Sequence, residues 1–181
     1  MKFTRLTAPI IGALIDLFYA RPAELGQVEE VDGGALPPDY QTLLAHQSHM
    51  TVAVEKYYGC EVGVRVLAKS LTGEHYARKI LLYRKTDQAI VQFGIMRLDF
   101  KYVSPEVRRA VESETTPLGR ILIEHEVLRE IHLVRLWRVT PGSDLQNLLG
   151  IGGDEITYGR TAIIDCNGEP AVELLEIVRP V

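Results

Sequence analysis

The chain has 181 residues, 46% of them hydrophobic and 24% charged, an ordinary composition for one globular domain with a real core. The net charge is −4 and no basic block stands out, which argues against nucleic acid as a partner, since phosphate binding needs a basic surface. Cys60 and Cys166 form neither a CxxC motif nor a metal spacing, so both are expected to be buried, inert thiols in a reducing cytoplasm.

Lys2 and Arg5 precede an apolar stretch, residues 6–20. Asp16 interrupts it and no small-residue cleavage site follows. A packed helix over residues 9–20 is therefore expected in place of a signal peptide. No segment reaches the roughly 18 to 20 apolar residues of a membrane span, so a cytoplasmic protein without a membrane partner is expected.

Residues 21–36 read as a loop, with Gly33 and Gly34 as breakers. Pro37 and Pro38 open a helix whose periodicity runs through Leu43, Leu44, Met50, Val54 and Tyr57 to a cap at Gly59. Ser48 and Thr51 favour a break into two helices. Residues 61–71, 74–84 and 88–100 alternate or run apolar and read as strands, with turns at Thr72-Gly73 and Thr86-Asp87. Ser104 caps a helix with Pro105 in its first turn. Thr116 and Pro117 start a second short helix, through Ile123. Residues 130–140 read as a strand and 141–154 as a Gly-rich loop. Residues 155–165 and 171–178 form a hairpin around Asn167-Gly168. The sum is an α+β fold: one domain over residues 1–181, with an antiparallel sheet of about six strands covered by helices.

Two charges fall where core residues are expected. Arg78 shares a strand face with Tyr76, Ile80 and Leu82, and Glu176 shares one with Val172, Leu174 and Val178. An inward cation and an inward carboxylate are costly unless paired or bound to something. Two readings stay open at this point: an internal ion pair, perhaps Arg78 with Glu176 itself, or the poles of a polar ligand site. Two helix starts add to the second reading. Thr116 as N-cap and Pro117 at the first position leave the Leu118 backbone N–H without an intrahelical acceptor, and the segment from Ser48 to Thr51 does the same near Met50. His46 and His49 with Glu55 make a metal site conceivable, but the spacing is not HExxH and no metal is expected. His75, His125 and His132 have no evident partners.

Four segments together resemble a known family. Ser48-His49-Met50-Thr51, the run from Tyr76 to Leu82, Thr116-Pro117-Leu118-Gly119-Arg120, and the terminal Glu169-Pro170 with Glu176 and Pro180 are similar to chorismate pyruvate-lyase. They fit best its diverged branch, with a His-x-x-His-Met-Thr segment followed by a Glu. The resemblance covers about four-fifths of the chain, from Leu36 onward. It implies a chorismate lyase-like fold with an internal ligand pocket. It also implies a carbon–oxygen lyase that splits chorismate into 4-hydroxybenzoate and pyruvate without metal or organic cofactor. Carried over by position, Arg78 would hold a carboxylate, Glu176 would contact the ring hydroxyl, and the backbone N–H groups of Met50 and Leu118 would donate to the substrate. Arg78 and Glu176 would be the catalytic pair. Better-known members carry a second pocket arginine where this chain has Gly94, with Arg97 nearby but out of register.

The same fold resembles the effector-sensing domains of some bacterial transcription regulators. That resemblance implies an alternative, a non-catalytic module binding a small aromatic acid. Only about 35 residues precede the first shared helix, too few for a helix-turn-helix domain. A lyase acting on a related enolpyruvyl or cyclohexadiene acid is a third expectation.

Overall fold

The computed structural model describes residues 11–181. Its frame is one seven-stranded sheet, antiparallel throughout, in the order β1-β5-β6-β7-β4-β3-β2. The strands are β1 (Gly26–Val31), β2 (Val62–Thr72), β3 (His75–Arg84), β4 (Ile90–Asp99), β5 (Arg129–Pro141), β6 (Thr157–Cys166) and β7 (Glu169–Val178). Among the described residues, six α-helices accompany them: α1 (Ile11–Ile15), α2 (Pro38–Leu44), α3 (Met50–Tyr58), α4 (Pro105–Glu112), α5 (Leu118–Glu124) and α6 (Ser143–Leu149).

Local chemistry explains the boundaries. The Ser104 hydroxyl accepts from the Val107 N–H at 3.3 Å, and Pro105 occupies the first turn of α4. Gly59 ends α3 with φ 67°, a left-handed conformation that glycine adopts without a Cβ penalty. Asn167 and Gly168 both take positive φ in the two-residue turn that joins β6 to β7. The helix expected over residues 37–59 is two helices, with 45–49 as the break.

Two corrections apply to the expected layout. Residues 21–36 are not all loop: β1 pairs with β5 from Val31↔Leu136 to Gly26↔Pro141. Its polar run, Gln27, Glu29 and Glu30, suits an edge strand with one wet face and hides it from a search for apolar alternation. Nor is 141–154 a bare loop. Leu145 and Leu149, four apart, bury one face of α6 against the sheet, and Gly150 closes it in a left-handed conformation. The N-terminal helix expected over residues 9–20 is described only from Ile11, as α1; residues 1–10 lie outside the described part. No described helix is long and apolar enough to cross a membrane.

The packing positions the site. On one face of the sheet, α1 and α6 cover Leu81, Phe93, Ile95, Leu175 and Ile177. On the other face, α2 and α3 pack over Val62, Val64, Leu82 and Val178. Further along that face, α4 and α5 pack over Met96, Leu98, Ala162, Ile164 and Leu174. A seam between these two helix pairs lies over the middle of β3, β4, β7 and β6.

Candidate functional site

The seam encloses a cavity of about 50 Å³. Its floor is the sheet face carrying Arg78, Ile80 and Leu82 of β3, Gln92, Gly94 and Met96 of β4, Leu174 and Glu176 of β7, and Arg160 and Ile164 of β6. Its roof is made by the starts of α3 and α5: His49, Met50 and Thr51 on one side, Pro117, Leu118 and Gly119 on the other. Gly119 allows that approach. A Cβ there would lie 2.9 Å from Thr51 Oγ1, closer than real Cβ atoms come, and 3.0 Å from His49 Cβ, tighter than most. All four residues singled out in the sequence, Met50, Arg78, Leu118 and Glu176, line this one cavity.

Glu176 is paired, but not with Arg78. Register sets Arg160 of β6 directly opposite Glu176 of β7. The Arg160 Nε donates to Glu176 Oε2 at 2.8 Å. Arg160 is completely buried, and its remaining nitrogens donate to backbone carbonyls of the segment before α3: Nη1 to His46 O at 3.0 Å and Nη2 to Ser48 O at 2.9 Å. This one guanidinium therefore holds the cavity carboxylate and the chain that leads into Met50. It is not among the residues that stand out in the sequence.

Arg78 is the opposite case. It faces Met96 across β3 and β4, and Met96 faces Leu174 across β4 and β7. That row lies one step along the strands from the row Ile80–Gly94–Glu176–Arg160. Strand spacing and rise put the Arg78 and Glu176 Cα atoms on the order of 12 Å apart. Arg78 is 2% exposed, and its Nε and Nη1 have no hydrogen-bond partner among the described residues. Burial holds its pKa below the usual arginine range, against the opposing pull of Tyr76 and Glu114. The buried Tyr76 hydroxyl and the Gln92 Oε1 also lack partners among the described residues. Such groups cost about 1–3 kcal/mol each when left unsatisfied, and more when charged.

Both helix starts are uncapped. His49 and Pro117 occupy the N-cap positions, and neither supplies a side-chain bond to the helix. Leu118 is the first helical residue of α5, not the second, because Pro117 rather than Thr116 is the N-cap. The change leaves the Leu118 N–H without an intrahelical acceptor, as at Met50.

His49 is buried and accepts from Arg129 Nε at 2.8 Å through its own Nε2. Burial, reinforced by the Arg129 and Arg160 charges, pushes its pKa down to about 4, so the imidazole is neutral at pH 7. The residues weighed for a metal have other roles: His46 Nε2 contacts Leu43 O, His49 meets Arg129, and Glu55 pairs with Arg120. A different trio, Glu130, His132 and Asp165, brings its ligand atoms within 4.8 Å of one another on the partly exposed surface of β5 and β6. Arg97 points away from the cavity and pairs with Glu173. Cys166 is buried, but Cys60 is only half-buried, which departs from the expectation of two buried thiols.

The arrangement defines an α+β domain with a mostly apolar cavity between sheet and helices, holding, among the described residues, one buried cation without a carboxylate partner. No family model matches the sequence, and no curated protein does. Solved structures share the fold. The PhnF effector domain from Mycobacterium smegmatis aligns with a TM-score of 0.55 at 14% identity, over 73% of this chain and 88% of that domain. The PhnF structure from the same organism gives the same TM-score and identity over 74% of this chain, which spans 64% of the PhnF chain. The likeness shows the fold, which is the chorismate lyase-like fold expected, with seven strands in place of about six.

Proposed function

We propose that the chain is a binding module for a small carboxylic acid, held in the cavity with its carboxylate on Arg78. The observation that carries this reading is the buried guanidinium whose Nε and Nη1 lack partners among the described residues. A carboxylate offers two parallel charge-assisted bonds to such a fork. Ile80, Leu82, Met96, Ile164 and Leu174 surround it with apolar surface suited to a ring or a short hydrocarbon body. The likeness to the PhnF effector domain supports a small-molecule-binding module on this fold.

Thermal melts with 4-hydroxybenzoate test this. The acid raises the wild-type melting temperature with the logarithm of its excess over Kd, and Arg78→Met abolishes the shift. An equal shift in Arg78→Met, or none in the wild type with this acid and with benzoate, contradicts the reading.

A second reading, a cofactor-free chorismate lyase, draws support from the gathering of Arg78, Glu176, Met50 and Leu118 around one cavity. In that reading the enolpyruvyl ether C–O bond breaks as the ring aromatises. Arg78 holds one carboxylate, the two helix-start N–H groups receive the other, and Glu176 fixes the ring hydroxyl. Incubating folded protein with chorismate and assaying pyruvate and 4-hydroxybenzoate tests it. No release above the spontaneous rate removes this reading and leaves the first.

A further inference from the structure

Three charged side chains line the cavity: Arg78, Arg160 and Glu176. They are not equivalent. Arg160 is committed on all three of its nitrogens, to Glu176 and to the carbonyls of His46 and Ser48. The Arg160–Glu176 pair is neutral as a unit. Arg78 alone adds an uncompensated charge, so the cavity as a whole carries +1.

We infer that the cavity selects singly charged acids over dicarboxylates, and that Arg160 sets this selectivity by neutralising Glu176 while remaining unavailable to the ligand. The inference rests on the acid-binding reading above and names the ligand class. A monocarboxylate on Arg78 brings the enclosed charge to zero. A dicarboxylate leaves a net negative charge in a buried space, which is costly. Its second carboxylate also finds no free guanidinium: Gly94 presents no side chain and Arg97 is turned away onto Glu173. What it meets instead is the Glu176 carboxylate and, on the roof, the N–H groups of Met50 and Leu118, which carry no full charge to offset its own.

Arg160 engages Glu176 through Oε2 alone. The carboxylate therefore keeps acceptor capacity, and a neutral donor such as a hydroxyl or amide suits it. The charges beyond the cavity wall do not alter the count. Glu114, which acts on Arg78, is paired with Lys69, and Arg129 behind His49 is partly exposed and screened by solvent. The ligand class is thus an acid with one carboxylate and a neutral hydrogen-bond donor at the far end.

Isosteric pairs isolate charge from size. Succinamate and succinate differ by one charge at nearly equal shape, as do 4-carbamoylbenzoate and terephthalate. Calorimetric titration of the wild-type protein at pH 7.5 should show the amide acid of at least one pair binding tenfold or more tightly than its dicarboxylate. Glu176→Gln removes the negative partner and leaves the Arg160 charge uncompensated. It should cut that preference at least tenfold. Equal or tighter binding of the dicarboxylates to the wild type overturns the inference whether or not the variant folds. So does an unchanged preference in a folded Glu176→Gln protein, or failure of both amide acids where 4-hydroxybenzoate binds. If 4-hydroxybenzoate fails as well, the acid-binding reading itself is wrong and this inference falls with it.

Discussion

Glu176 forms its ion pair with Arg160, at 2.8 Å, while Arg78, one row away on the same sheet face, has no carboxylate partner and leaves its Nε and Nη1 without a hydrogen bond among the described residues. Two inward arginines on one face thus have opposite roles. Arg160 is a structural tie whose three nitrogens are all engaged. Arg78 is a buried charge held ready for a carboxylate that the described residues do not supply. That division is the physical basis for reading the cavity as a site.

Arg78 should cost the empty protein stability. Replacing even a paired buried ion with apolar side chains of similar volume is often neutral or stabilising, by up to about 4 kcal/mol, and Arg78 lacks the compensating carboxylate. Arg78→Met is therefore expected to unfold at higher urea than the wild type without ligand, and to gain nothing from added acid. Urea titrations of both proteins, with and without 4-hydroxybenzoate, check both halves. A less stable variant would mean that Arg78 already has a structural role.

Arg160 and Glu176 should be energetically coupled. Arg160→Met leaves a buried carboxylate and two backbone carbonyls without their donor, with an expected loss of about 3–5 kcal/mol. Glu176→Leu strands the guanidinium and should also destabilise. The double variant should be less unstable than the sum of the two. A double-mutant cycle by chemical denaturation measures this, and simple additivity would contradict the pairing.

His49 should make the protein acid-sensitive. Its pKa is about 4 in the folded protein and about 6.5 when unfolded. Between those values the unfolded chain binds a proton that the folded one does not, so stability falls as pH drops through that window. The loss expected from this group is on the order of 3 kcal/mol by pH 4. His46, also lowered by burial, adds in the same direction. Urea melts between pH 7 and pH 4.5 should show the slope, and His49→Gln should flatten it. An unchanged slope in that variant would place the acid sensitivity elsewhere.

The two thiols should differ in reactivity. Burial pushes Cys166 up to about 11, whereas Cys60 is half-buried near the end of α3. A thiol reagent at pH 8 is expected to modify one equivalent in the native protein and the second only after unfolding. Peptide mapping should place the first label on Cys60.

Much of this was legible in the sequence, and what was missed has physical reasons. Arg78 and Glu176 stood out because each shares a strand face with apolar residues, Tyr76, Ile80 and Leu82 on β3 and Val172, Leu174 and Val178 on β7. Ser104-Pro105, Gly59 and Asn167-Gly168 marked their boundaries because caps and tight turns depend on local chemistry. Arg160 carried the same signal as Arg78, an inward cation in line with Ala162 and Ile164. Burial on both faces does not set β6 apart, since β3 and β7 are covered on both faces as well; Arg160 lies outside all four segments that carry the resemblance. The strand β1 was hidden by its glutamates, and α6 by the glycines that follow it. Which arginine meets Glu176 depends on strand order, since β6 lies beside β7 while β3 is two strands away. Periodicity within single strands carries no record of that order.

The most direct measurement is a crystal structure of the protein with 4-hydroxybenzoate bound. The account predicts the acid in the seam between the two helix pairs, its carboxylate on Arg78 Nε and Nη1, with the Arg160–Glu176 pair intact beside it. An Arg78 guanidinium still without a ligand, with the acid bound elsewhere on the protein, would contradict it.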